Sequence, residues 1–231
     1  MRIDVIIPAL NEAAAIAAVV RSIPRPPARE IIVVDNGSKD GTADAARAAG
    51  ARVISEPRRG YGSACLAGLR ALQPDTEIIV FLDADGSDDP TLLPQIVQPI
   101  AAGVADLVVG SRTAGIVEPG ALTPQQRIGN VVAASWLRLR FGLPATDLGP
   151  FRAIGREQLQ ALAMSDRDYG WTVEMQIKAA RNGLRYVEVP VPYRRRVGRS
   201  KISGTVRGTL GATFKILGLL AWHDLVRPRL S

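Results

Sequence analysis

The first 110 residues alternate short β-branched runs with helical stretches, and few folds accept that pattern. "RIDVIIP", "EIIVVD", "ARVIS", "EIIVFLD" and "DLVVGSR" each have the length and composition of a buried strand. Helices are predicted from Asn11 to Arg21, from Thr42, which is placed to cap it, over "YGSACLAGLRAL", and from Pro90 behind an Asp89 N-cap. Continuous apolar strands separated by such helices predict an α/β fold with a mostly parallel sheet covered on both faces. Ligands of such sheets bind outside the carboxyl ends of the strands.

The polar residues gather at those ends. "PALNE" follows the first strand, "DNGSKDGT" the second, "DADGSDD" the fourth and "GSR" the fifth, so all four should meet in one crevice. Asp83, Asp85, Asp88 and Asp89 crowd the end of the fourth strand. Two unit charges about 4 Å apart repel by roughly 4 kcal/mol at an effective dielectric near 20, so a divalent cation is the obvious offset. A turn with an Asp cap explains Gly86 and Asp89 but leaves Asp83 and Asp85 unexplained. These two are two residues apart in a strand, so their side chains share one side while Ala84 faces away. With a single cysteine, Cys65, and a single histidine, His223, classical zinc sites are excluded, and oxygen ligands point to Mg²⁺ or Mn²⁺. Asp35 is placed either to accept hydrogen bonds from a base or ribose or simply to form its turn. "RRGYGSA", with Arg59 and Gly60, reads as a phosphate-facing loop.

Beyond Arg112 the pattern loosens. A loop, "TAGIVEPGALTPQ", leads into an amphipathic helix, "QQRIGNVVAASWLRLRF"; "TDLGPFRAI" suggests a return to the sheet. "WTVEMQIKAARNG" predicts a helix ended by Gly183, and the prolines of "LRYVEVPVPY" suit an edge strand. "RRRVGRSKISG" is expected to be a mobile basic loop, and the final segment a helix too short in apolar stretch to span a bilayer. Residues 1–150 carry 14 Lys/Arg against 16 Asp/Glu, whereas residues 151–231 carry 15 against 6. The basic last part suggests a polyanionic partner: nucleic acid, anionic lipid or a phosphorylated substrate. Arg112 and Arg127 read equally as surface arginines, Asp147 as a turn residue, and Glu174 with Lys178 as a helical ion pair. The N-terminus lacks the pattern of a signal peptide, and one cysteine makes a reducing, cytoplasmic compartment the default.

Together these residues resemble the family 2 glycosyltransferases of the GT-A (Rossmann-like) fold. "VIIPALNE" is similar to the family's opening strand, "VVDNGSKDGT" to its second, and "DAD" to its DxD motif. The resemblance implies one GT-A domain over residues 1–203, with residues 1–110 binding nucleotide-sugar and 111–203 binding acceptor, followed by a helical tail over 204–231. It implies nucleotide contacts at Pro8, Leu10, Glu12, Asp35, Gly37, Arg59, Gly60, Asp83 and Ala84, with the metal on Asp85 and Asp83. Within the family, "GSR", "TDLGPFRA" and "VPYRRRVGRSK" resemble motifs of polyprenyl-phosphate (dolichyl-phosphate) sugar synthases. By that likeness Arg112 and Arg127 bind an acceptor phosphate, and the loop carrying Arg194, Arg195 and Lys201 closes over the donor diphosphate. Gly86 and Ser87 stand where many mannosyl-type synthases carry Leu-Gln, so no particular donor or metal is implied.

The expected function is inverting, metal-dependent transfer of a sugar from a UDP- or GDP-linked donor to a polyprenyl phosphate, peripheral to the cytoplasmic membrane face. A lipid phosphate needs only orientation. A sugar hydroxyl, the alternative acceptor, needs a base, for which Asp147 and Glu174 are the candidates. A sugar-phosphate nucleotidyltransferase would carry a glycine-rich basic loop after the first strand, which "PALNE" lacks. A nucleic-acid binder does not account for the acidic strand ends, and 5% aromatic content offers no stacking platform. A silent scaffold at a lipid surface would keep its function without Asp85.

Overall fold

The computed structural model describes residues 1–198 together with Gly218. Seven strands, β1 (Ile3–Ala9), β2 (Ala28–Asp35), β3 (Arg52–Ser55), β4 (Ile78–Phe81), β5 (Leu107–Ser111), β6 (Arg152–Gly155) and β7 (Tyr186–Pro190), form one sheet in the order β3-β2-β1-β4-β6-β5-β7. Every pairing is parallel except those of β6, which runs antiparallel to both β4 and β5. The expected mostly parallel α/β sheet is therefore present, and β7 is an edge strand.

Side-chain alternation sorts the helices. Ile3, Val5 and Ile7 of β1 point into one apolar layer with α1 (Ile16–Ser22), α2 (Thr42–Ala48) and α4 (Leu93–Ala101). Ile6, with Ile79 and Phe81 of β4, points into the opposite layer, filled by α3 (Tyr61–Arg70), α6 (Arg156–Leu162) and α7 (Trp171–Arg181). The remaining helix, α5 (Pro124–Phe141), packs outside α7 through Ala133 and Leu137 against Val173 and Ile177. From β1 the chain winds outward to β3, then returns to β4 on the other side of β1. The order reverses between β1 and β4, and a crevice opens at their carboxyl ends.

Three local expectations are corrected. The first helix begins at Ile16 rather than Asn11, because Asn11 sits at φ +52° and the chain turns there before coiling. Thr42 is the first residue of α2 and not its cap; its hydroxyl accepts from the Glu12 N–H at 2.8 Å and so ties α2 to the loop after β1. The short helix α6 was not foreseen. The Asp89 cap is present, accepting from Thr91 N–H at 3.1 Å and opening a 3₁₀ turn, Pro90–Leu92, ahead of α4. Among the described residues no helix is long and apolar enough to cross a membrane. Lys201, the basic loop from residue 199 onward and the helical tail apart from Gly218 lie outside the described residues, as does the boundary at 203.

Candidate active site

A cavity of about 440 Å³ lies over the β1/β4 reversal. Pro8, Ala9, Leu10 and Glu12 come from the end of β1, and Asp83, Ala84 and Asp85 from the end of β4. Asn36 follows β2, Arg59, Gly60 and Tyr61 open α3, Asp168 and Tyr169 come from the loop before α7, and Arg196 closes the rim.

The carboxylates here are poorly balanced. Burial, and then the charge of Asp85, push the Asp83 carboxyl up to about 7, although the Tyr61 hydroxyl donates to it at 3.1 Å. Asp85 accepts from the backbone N–H and hydroxyl of Ser87 at 2.9 and 2.6 Å. Arg196 donates to Glu12 at 2.7 Å and stands 3.4 Å from Asp85, so one guanidinium serves two acids. Asp88 is buried with neither carboxylate oxygen hydrogen-bonded; burial and then Asp83 push its pKa well up, favouring the neutral acid. Among the described residues no group of three or more His, Cys, Asp or Glu side chains is arranged to hold a metal by itself. Two hard carboxylate donors at an open cavity nevertheless fit a Mg²⁺- or Mn²⁺-type ion whose remaining ligands come from a bound diphosphate.

Backbone and side chains fix the loop that leads into α3. Asn36 donates to the carbonyls of Glu56 and Arg58 at 2.9 and 2.8 Å and accepts from Gly60 N–H at 2.9 Å, pinning the turn that presents Arg59. The Arg59 guanidinium lies over Gly37, whose φ of +82° suits glycine. Asp35 accepts from Ser38 N–H at 3.0 Å and so forms its turn; neither it nor Gly37 lines the cavity. On the far wall, a Cβ on Gly62 would stand 2.1 Å from the Asp166 carbonyl oxygen, so α3 and the loop before α7 touch through bare backbone.

The two proposed bases do other work. Asp147 is fully buried and takes Arg112 on both oxygens, Nε at 2.8 Å and Nη2 at 2.6 Å, plus the Arg112 N–H at 2.6 Å. Burial opposes the Arg112 charge, but the hydrogen bonds and charge of Asp147 outweigh it and hold the guanidinium firmly protonated. That guanidinium lies 5.0 Å from the Tyr193 ring centre. Buried Arg152 clamps the same loop through the carbonyls of Leu148 and Gly149 at 3.1 Å each. Glu174 turns away from the cavity: it accepts from Ser165 and Asp166 N–H at 3.0 and 2.8 Å and pairs with Lys178 at 2.7 Å. It braces the loop that brings Asp168 and Tyr169 to the cavity.

The basic segment also differs from expectation. Arg194 pairs with Asp89 at 2.7 Å, and Arg195 donates to the Pro119 carbonyl at 2.7 Å; among the described residues of this segment, Arg196 reaches the cavity. The backbone of this segment runs along the acidic loop, Arg194 N–H to Ser87 and Val197 N–H to Asp85, both at 2.9 Å. Arg127 is exposed on the first turn of α5, outside the cavity. Asn36, Tyr61, Asp168, Tyr169 and Arg196 were missed by the sequence reading; only Arg196, inside the arginine run, carried a signal.

The arrangement can bind a diphosphate through a cation and arginines beside a pocket walled by carboxylates and a tyrosine. Comparison with known proteins agrees. Residues 4–161 match the model of the family described as glycosyl transferase family 2. An uncharacterized glycosyltransferase of Mycobacterium tuberculosis is 42% identical over 211 residues, 90% of this chain and 93% of that protein. The undecaprenyl-phosphate mannosyltransferase of Micrococcus luteus is 32% identical over the full length of both chains. Glucosyl-3-phosphoglycerate synthase from Mycobacterium tuberculosis, solved with Mn²⁺, uridine diphosphate and glucosyl-3-phosphoglycerate, superposes with a TM-score of 0.77 at 27% identity, covering 99% of this chain and 81% of that one. The chain belongs to glycosyl transferase family 2 and is a glycosyltransferase of the GT-A fold.

Proposed function

We propose that the chain transfers a sugar, with inversion, from a UDP- or GDP-linked donor to a polyprenyl phosphate. The observation that carries the reading is that Asp83 and Asp85 line one cavity over the β1/β4 reversal, with Asp83 held by a single hydrogen bond, from Tyr61, among the described residues. Asp83 and Asp85 would hold Mg²⁺ or Mn²⁺, which when bound supplies positive charge at the leaving diphosphate. Arg59 and Arg196, which line the cavity, add fixed positive charge to it. Pro8, Leu10 and Glu12 bound the nucleotide end. Arg112, whose Nε and Nη2 are held by Asp147, would offer its remaining N–H groups to the acceptor phosphate. The name of the Micrococcus relative supports the lipid acceptor, and the Mn²⁺ and uridine diphosphate of the solved neighbour support the cation and nucleotide classes. A hydroxyl acceptor is the second reading; Asp168, which lines the cavity, is then a better-placed base than Asp147 or Glu174.

The test is metal-dependent transfer of labelled sugar from UDP-glucose, UDP-N-acetylglucosamine and GDP-mannose to a short polyprenyl phosphate, scored by organic extraction. One donor should label the lipid, and Asp85→Asn should lower the rate by about 100-fold or more. Nucleotide binding that depends on Mn²⁺, without any extractable label, would move the reading to a hydroxyl acceptor.

A further inference from the structure

The helix α5 already has a satisfied core face, made by Asn130, Ala133, Ala134 and Leu137. Its opposite face is mostly apolar too, interrupted by Ser135, which accepts from Arg138 at 3.3 Å. At 100° per residue, Ile128, Val132 and Leu139 fall within one narrow stripe, with Val131 at its margin. Ile128 is 65% exposed, Val131 59% and Leu139 83%, a cost that folding alone does not explain. Arg127 and Arg138 line one flank of the stripe and Arg140 the other, and the 18 residues of α5 contain no Asp or Glu.

We propose that this outward face of α5 docks on an anionic lipid bilayer. An exposed apolar stripe with cations on both flanks is the arrangement of a helix lying in a membrane interface, its side chains among acyl chains and its arginines at phosphate depth. A two-fold contact with a second copy would set the same arginines against themselves with no acid on the helix to offset them. The face is also tied to the active site. Asn130, on the buried side, donates to the Thr146 carbonyl and accepts from Leu148 N–H, each at 3.0 Å, on either side of Asp147. A bilayer under α5 therefore lies beside the loop that orients Arg112. That functional placement, though not the surface itself, rests on the polyprenyl-phosphate reading.

The test uses the full chain, sedimented with vesicles of phosphatidylcholine alone or of equal parts phosphatidylcholine and phosphatidylglycerol. The parent should bind the anionic vesicles. Ile128→Ser combined with Leu139→Ser should weaken that binding about tenfold or more. Arg138→Gln combined with Arg140→Gln should remove the preference for phosphatidylglycerol. Two substituted chains that sediment like the parent overturn the proposal, as does binding lost only when residues 199–231 are deleted. A parent dimer made monomeric by the serine pair, with vesicle binding unchanged, assigns the face to a second copy instead. Transfer to a detergent-dispersed short polyprenyl phosphate separates the two readings. If it is absent while vesicle binding depends on α5, the surface stands and the lipid acceptor falls; if it is present while vesicle binding ignores α5, the reverse holds.

Discussion

The two ends of the β1–β4 pair treat carboxylates in opposite ways. At the amino edge, buried Asp4 takes Arg29 through Nε at 3.0 Å and Nη2 at 2.6 Å and the Thr76 hydroxyl at 2.5 Å. At the carboxyl edge, among the described residues, Asp83 accepts one hydrogen bond, from Tyr61, and faces a second acid. The same two strands thus end in a neutralised cap on one side and an unbalanced acidic pair on the other. A carboxylate whose partners lie within the fold serves the fold, whereas one left short of partners is matched to something that arrives later. Asp147 is of the first kind although it stands at the site's side of the sheet, since its partner Arg112 is internal.

That contrast can be broken experimentally. Asp147→Ala should cost the most, about 3–5 kcal/mol in urea unfolding, because it leaves the Arg112 guanidinium, only 13% exposed, without its counter-charge. Asp4→Ala should cost less, about 2 kcal/mol, since Arg29 is partly exposed and keeps Asp75 at 2.7 Å; its sugar-transfer rate should match the parent's. A loss of transfer in well-folded Asp4→Ala would end the distinction between the two edges. Asp83→Asn should have the smallest effect and the opposite sign. Its carboxyl is raised from 3.8 to about 7 in the fold, so folding disfavours the ionised form. The parent therefore loses stability as pH rises from about 4 to about 7, and the amide escapes that loss. With chelator present, Asp83→Asn should be stabilised by on the order of 1–2 kcal/mol above pH 7, with the gain fading toward pH 4. An equal gain at both pH values would assign the effect to packing.

Much of this was legible before the structure. The strands stood out because β-branched runs have one reading when helices separate them. Asp83 and Asp85 stood out because like charges crowd the end of a buried strand, whereas Glu12 was implied by the family resemblance of "VIIPALNE". What was hidden depends on contacts far apart in sequence. Asp168 and Tyr169 reach the cavity because Gly62 lets the loop before α7 lie against α3, a contact spanning 104 residues at Ser63 and Arg167. Asp147 and Glu174 stood as candidate bases for a hydroxyl acceptor because residue type and position do not reveal which donors a carboxylate meets; the Glu174–Lys178 ion pair, expected from the helical spacing, is present. The late start of α1 was hidden for a local reason: the left-handed turn at Asn11 leaves no mark in an Ala-rich run.

The antiparallel strand β6 has one further consequence. Because it runs against its neighbours, the chain leaves the sheet after β5 and rejoins it at the same edge, where Gly110 N–H donates to the Phe151 carbonyl at 2.8 Å. The intervening stretch, with Arg112, α5 and Asp147, is an insert clamped at its neck. Doubling the length of such an insert adds only about 0.6 kcal/mol of closure entropy. Evolution can thus lengthen, shorten or exchange it as a module while β1, β4 and the floor of the cavity over their reversal stay where they are.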